Sequence, residues 1–166
     1  MRLFFCLVAC AATLMAGDLS GRRAPGFSLI DVNLTQHDLQ DYRGKIVLVD
    51  FIQTTCPHCG EFSKTLQEVV ARYSGKVAVL SIVNPPDTPA TVKPFIAQHK
   101  LSYPLLFDCG QVAASYVKAA SFDVPHLFII DAQGTIQNDY GYNPFTRGIF
   151  EGRDLFSELD RMLKSK

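Results

Sequence analysis

The sequence predicts an α/β domain, a sheet covered by helices on both faces. Three observations lead there. IVLVDFI (Ile46 to Ile52), KVAVLSIV (Lys76 to Val83) and HLFII (His126 to Ile130) are almost unbroken apolar runs rich in β-branched residues, the pattern of strands buried on both faces. The segments between them change to helical periodicity. The chain has 166 residues, 48% hydrophobic and 19% charged, enough for one domain with a real core and too apolar for disorder.

The elements follow in order. Ser20 to Gly26 reads as loop, and Phe27 to Ile30 as a short strand. After the Ile46 to Ile52 strand, Phe62, Leu66, Val69, Val70 and Tyr73 form one stripe of an amphipathic helix that Gly75 ends. Beyond the second buried strand, NPPDTPATVKP is loop. A helix is expected from about Lys93 to His99, begun there because Pro94 suits only a first turn. Leu105 to Phe107 is a short strand and Gln111 to Lys118 a helix. His126 to Ile130 and Thr135 to Tyr140 make a hairpin around the turn residues Asp131 to Gly134. Asp154 to Lys164 closes the chain as a helix, with Leu155, Leu159, Met162 and Leu163 on one face and end charges that suit its dipole. Alternation of strand and helix gives the layered α/β arrangement.

Residues 1–16 read as an export signal and 17–166 as the folded domain. Arg2 precedes an uncharged stretch from Leu3 to Ala16, shorter than the roughly 20 residues that span a bilayer. Cleavage is expected after Ala16. Leu7-Val8-Ala9-Cys10 offers a lipoprotein-type alternative and an uncleaved anchor a third. The protein would then lie outside the cytoplasm, periplasmic or secreted, touching a membrane only if this segment is retained or lipidated. Sixteen basic residues balance sixteen acidic ones, so no basic excess exists to bind nucleic acid.

Of five cysteines, Cys6 and Cys10 fall in the leader. Cys56, Cys59 and Cys109 remain, a close pair plus one thiol expected to be buried and inert. Cys56-Pro57-His58-Cys59 joins the buried strand to the amphipathic helix. Unpaired N–H groups and the helix dipole at that junction favour an anion, and a thiolate is the attacking species in disulfide exchange. Pro57 takes the first helical position, where its missing N–H costs nothing. Cys59 lies one turn on, able to close a disulfide with Cys56. His58, as a cation, would stabilise the Cys56 thiolate. A structural bridge over so short a loop would contribute only about 2 kcal/mol. No second C-x-x-C or C-x-x-H completes a zinc site, and Gly60 stands where haem attachment needs histidine. No metal and no cofactor are expected.

Three stretches in order resemble the exported thioredoxin-like redoxins of the TlpA/ResA type: APGFSLIDVNLTQHDLQDYRGKIVLVDF, YPLLFDCGQVAASY and FDVPHLFIIDAQGTI, within a similarity that runs roughly from Ala24 to Lys164. The resemblance implies a thioredoxin fold, a central mixed sheet with helices on both faces and an added N-terminal β segment. It implies thiol–disulfide exchange with protein thiols and disulfides and with a partner redox protein. Cys56 matches the nucleophile and Cys59 the resolving cysteine. Pro125 matches the cis-proline facing the pair, with Val124 supplying the backbone that pairs with substrate. Asp50, six residues before Cys56, matches the buried acid that moves the second cysteine's proton; a carboxyl in an apolar strand should have a raised pKa.

The chain departs from that pattern at Thr55, where the family has tryptophan, and at Phe62, where the TlpA/ResA group often has glutamate. Its Pro-His dipeptide resembles DsbA-type oxidases instead, which leaves the direction of electron flow open. His126, after the proline, is expected to be a satisfied strand-start histidine, and Tyr142, Phe145 and Phe150 to be core. Two rival functions differ in class. A peroxiredoxin-like peroxidase would carry proline and threonine where Val49 and Gln53 stand. A Sco-like copper chaperone would space its cysteines by three residues, not two.

Overall fold

A computed structural model of the chain describes residues 19–117 and 123–164; the expected leader and Lys118 lie outside them. A small antiparallel hairpin comes first, β1 (Ser28–Ile30) and β2 (Gln36–Asp38). A 3-10 turn at Leu39–Tyr42 follows, capped by Asp38, whose Oδ1 accepts from the Gln40 N–H. The sequence reading placed β1 and passed over β2, which is three polar residues long with no apolar alternation to reveal it.

The main sheet has five strands in the order β5-β4-β3-β6-β7. Its centre is β3 (Ile46–Ile52), buried at all seven positions. It pairs in parallel with β4 (Val77–Val83), which pairs in parallel with β5 (Leu105–Phe107). On the other side β3 pairs antiparallel with β6 (His126–Ile130), and β6 antiparallel with β7 (Ile136–Gly141). The β6–β7 turn works because Asp131 Oδ1 accepts from the N–H groups of Gln133 and Thr135, both at 2.9 Å, while Gly134 takes the left-handed conformation at φ +86°.

Alternation along β3 sends side chains to two faces. Ile46, Leu48 and Ile52 face α1 (Pro57–Arg72), α2 (Pro89–His99) and α5 (Arg153–Lys164), packing with Phe62, Leu66, Phe95, Leu155 and Leu159. Val47, Val49 and Phe51 face α3 (Gln111–Tyr116) and the N-terminal segment, packing with Phe27, Leu39, Val112 and Tyr116. The expected layers are therefore present, a mixed sheet with helices on both faces and a β segment added at the N-terminus. Asp50 shares the parity of Leu48 and Ile52, so it points under α1.

Three expectations are corrected. Helix α2 begins at Pro89, with Pro94 inside it. Pro89 occupies the first position and Thr91 Oγ1 accepts from the Thr88 N–H at 3.0 Å, so the start is fixed a turn earlier than Lys93. Pro94 removes one helical hydrogen bond, and burial of Val92 and Phe95 offsets it. Cys109 is exposed, not buried. The buried group there is Asp108, whose carboxylate accepts from the N–H groups of Val112 (3.2 Å) and Ala113 (3.0 Å) at the start of α3, so its neighbour turns outward. Phe145 is 98% exposed rather than core, on a turn where Asn143 Oδ1 accepts from its N–H at 2.9 Å. That turn leads into a short helix, α4 (Arg147–Phe150), which periodicity over four residues could not show. Phe150 is core as expected, and Tyr142 is half-buried.

Candidate active site

The centre of the site is the junction of β3 and α1. Cys56 is the N-cap of α1 in extended conformation, Pro57 follows at the first helical position, and the Cys59 N–H donates to Cys56 Sγ at 3.3 Å. An N-cap is where a helix leaves its N–H groups unpaired, and here a sulfur receives one of them. Cys56 is half-buried and Cys59 fully buried, both as free thiols. The Cys56 thiol also donates to the carbonyl oxygen of Val124 at 3.6 Å. The Val124–Pro125 bond is cis, and Pro125 is buried. Residues 68 apart in sequence thus meet at one sulfur.

Asp50 is 0% exposed, and Ser81 Oγ donates to its Oδ2 at 3.2 Å. Burial pushes this carboxyl up to about 8, against the weaker downward pull of the Ser81 hydrogen bond. Burial likewise pushes the Cys59 thiol well up; its hydrogen bond with Cys56 and the negative charge of Asp50 add to this. Acid and thiol therefore disfavour each other's charge, so ionising one holds the other protonated.

His58 is exposed, and its ring stacks on Tyr142 with centroids 4.4 Å apart. Tyr142 meets Phe150 edge-on at 5.3 Å, and Phe150 meets Phe62 of α1 at 4.8 Å. His126 is paired with Asp139 at 2.6 Å, a satisfied strand-start histidine as expected.

Sequence reasoning missed two supporting residues. Asp87 holds the turn before Cys56: its Oδ2 accepts from the Thr54 N–H at 2.9 Å, and its Oδ1 from the hydroxyls of Thr54 and Thr91. His99 packs on the first turn of α1, so closely that a Cβ at Gly60 would lie 3.1 Å from its ring. Neither carries a local signal, since each acts across more than 30 residues of chain. Among the described residues, no three histidines, cysteines or carboxylates converge as a metal site would require, and no helix is long and apolar enough to cross a membrane.

Comparison with known proteins shows the family and the fold. The AhpC/TSA family model matches residues 20–139. The thioredoxin-like protein YneN of Bacillus subtilis is 30% identical over 124 residues, covering 74% of this chain and 71% of that protein. The thiol-disulfide oxidoreductase ResA of Geobacillus kaustophilus is 30% identical over 118 residues, covering 70% of this chain and 66% of its own length. The thioredoxin domain of a thiol-disulfide oxidoreductase from Bacteroides vulgatus superposes with a TM-score of 0.68 at 20% identity, over 84% of this chain and 96% of that one, a likeness of fold. The chain belongs to the AhpC/TSA family, as a thioredoxin-like thiol–disulfide oxidoreductase related to the ResA proteins.

Proposed function

We propose that the protein is exported by its residues 1–16 and works outside the cytoplasm, exchanging electrons between the Cys56–Cys59 pair and cysteines of other proteins, a partner redox protein among them. One observation carries the reading. A half-exposed thiol caps a helix beside the Val124 carbonyl, with a second thiol buried one turn behind it above a buried acid.

In the reducing direction, the Cys56 thiolate attacks one sulfur of a substrate disulfide, whose bond breaks with its electron pair going to the departing sulfur. A mixed disulfide results. Asp50 then accepts the proton of Cys59, and the Cys59 thiolate attacks Cys56. The substrate's second sulfur leaves as thiolate and is protonated from solvent. Two electrons have passed to the substrate, and Cys56–Cys59 is a disulfide. The oxidising direction runs the same steps backwards.

Val124 and Pro125 are where substrate backbone would lie, since the Val124 carbonyl already meets the Cys56 sulfur. Pro57 shapes the first turn so that Cys59 aims at that sulfur. His58 on Tyr142 borders the opening and contributes positive charge when protonated. Membrane contact would come only through the N-terminal segment.

Cys56→Ser is expected to abolish exchange, and Cys59→Ser to trap mixed disulfides recoverable by non-reducing gels. Equal, mild losses in both variants would refute the assignment. Peroxide consumption through Cys56 without disulfide exchange would favour the peroxidase instead. A reduction potential near about −270 mV would make the protein a reductant, and one near about −120 mV an oxidant.

A further inference from the structure

The proton that Asp50 takes from Cys59 has to leave a place that water does not reach. Cys59, Asp50, Ser63 and Ser81 are all 0% exposed. In the mixed disulfide the substrate sits on Cys56 and against Val124, covering the short way out. A second way exists on the far side. Ser81 Oγ donates to Asp50 Oδ2 at 3.2 Å. Ser63 lies four residues beyond Cys59, hence below it on the same inner face of α1. The Tyr103 hydroxyl donates to the Ser63 carbonyl at 3.3 Å, and its side chain also pairs with that of Ser81. Tyr103 in turn lines a cleft of about 390 Å³ between the N-terminal hairpin, α2 and β5, with Asp31, His37, Ile96 and Leu101 in its walls.

Two oxygens in this cluster, Asp50 Oδ1 and Ser63 Oγ, have no hydrogen-bond partner among the described residues. The surroundings are apolar: Leu48, Ile52, Val79, Leu105 and Leu127. A buried unpaired polar atom costs on the order of 1–3 kcal/mol, and alanine or valine at Ser63 would avoid that. Hydroxyls both donate and accept, so a row of them can hand a proton along where a carbonyl or amide cannot.

We infer that Ser81 and Tyr103 are positioning residues that form a hydroxyl relay, carrying the Cys59 proton from Asp50 to the cleft beside the N-terminal hairpin. The inference rests on Asp50 being the base for Cys59. The groups that face Asp50 are Ser81 from β4, Cys59 from α1, Leu127 from β6, and Tyr103 from the segment before β5. Beyond Tyr103, the cleft holds the Asp31–His37 pair, 3.3 Å apart. The chemistry moves a proton only: Cys59 S–H to the Asp50 carboxylate, then onward through the hydroxyls to water, while the two electrons travel through sulfur.

The test separates the two steps of exchange. Stopped-flow kinetics of the full reduced chain with a peptide disulfide gives the rates of mixed-disulfide formation and of its resolution between pH 5 and 9. Tyr103→Phe keeps the ring and removes only the hydroxyl; it is expected to lower the ratio of resolution to formation by at least about tenfold, as loss of acid–base help does. Ser81→Ala is expected to lower the ratio too, and to move the pH midpoint of resolution upward, because its hydrogen bond favours the ionised carboxylate. Ser81→Thr, which retains a hydroxyl, should restore both, and serves if Tyr103→Phe fails to fold. If Asp50→Asn slows resolution while Tyr103→Phe and Ser81→Ala keep the wild-type ratio and midpoint, the relay is overturned and the base survives. If Asp50→Asn resolves at the wild-type rate, the base assignment falls and the relay with it.

Discussion

Replacing Asp50 by asparagine should reverse sign with pH in its effect on stability. In the fold the carboxyl titrates at about 8, against an ordinary 3.8. The folded chain therefore keeps a proton that the unfolded chain releases, and stability falls as pH rises through that window, by up to about 1.4 kcal/mol per pH unit. Once both states are ionised, the total is on the order of 5 kcal/mol, undiluted by solvent because the group is fully buried. Asparagine does not ionise. It places an amide N–H₂ in a site where one carboxylate oxygen, Oδ1, has no partner. That costs about 1–3 kcal/mol at every pH. The variant should be the less stable protein at about pH 4 and the more stable one at pH 8, with the curves crossing at about pH 4.5–6. Urea unfolding of both reduced proteins across this range measures it. Other titrating groups cancel in the difference, and Cys59, held protonated by burial, stays silent. Parallel stability curves would refute the reasoning, since they would mean that Asp50 ionises in the fold as it does in water.

Three further outcomes follow from the same contacts. Asp87→Ala should cost on the order of 1–3 kcal/mol in a thermal or urea melt and slow exchange through Cys56, because the Thr54 N–H and hydroxyl lose their acceptor just ahead of the nucleophile; wild-type exchange would show the turn to be self-supporting. Gly60→Ala should stabilise the protein more when His99 is also alanine than when it is not, by about 1 kcal/mol in a double-mutant cycle, since the new methyl would lie 3.1 Å from the imidazole; strict additivity would contradict the close approach. Phe145→Ala should change stability by less than about 0.5 kcal/mol, the ring being 98% exposed; a larger loss would mean that it packs after all.

What the sequence revealed and what it hid divide by range of interaction. The buried strands were legible because a central strand shows its environment in its own composition: all seven residues of β3 are buried, and six are apolar. The seventh, Asp50, was marked by the family resemblance, which matches it to a buried acid. Cys56 and Cys59 were legible because helix capping is local, a matter of three residues. Pro94 misled because a local rule about proline was outweighed by capping at Thr88 and burial of Phe95. Cys109 misled because burial at the start of α3 went to Asp108, whose carboxylate has two N–H groups to satisfy and the thiol none. Asp87, His99, Tyr103 and Ser81 gave no signal at all. Each is an ordinary residue in its own segment and acquires meaning only where the chain returns: Asp87 is 33 residues from Thr54, Ser81 31 from Asp50, and Tyr103 40 from Ser63. A reactive pair can thus be read from four consecutive residues, whereas the groups that would govern its second step are assembled by the sheet. Hence substitutions at Ser81 and Tyr103, invisible to any motif, should alter the resolution of mixed disulfides more than their formation.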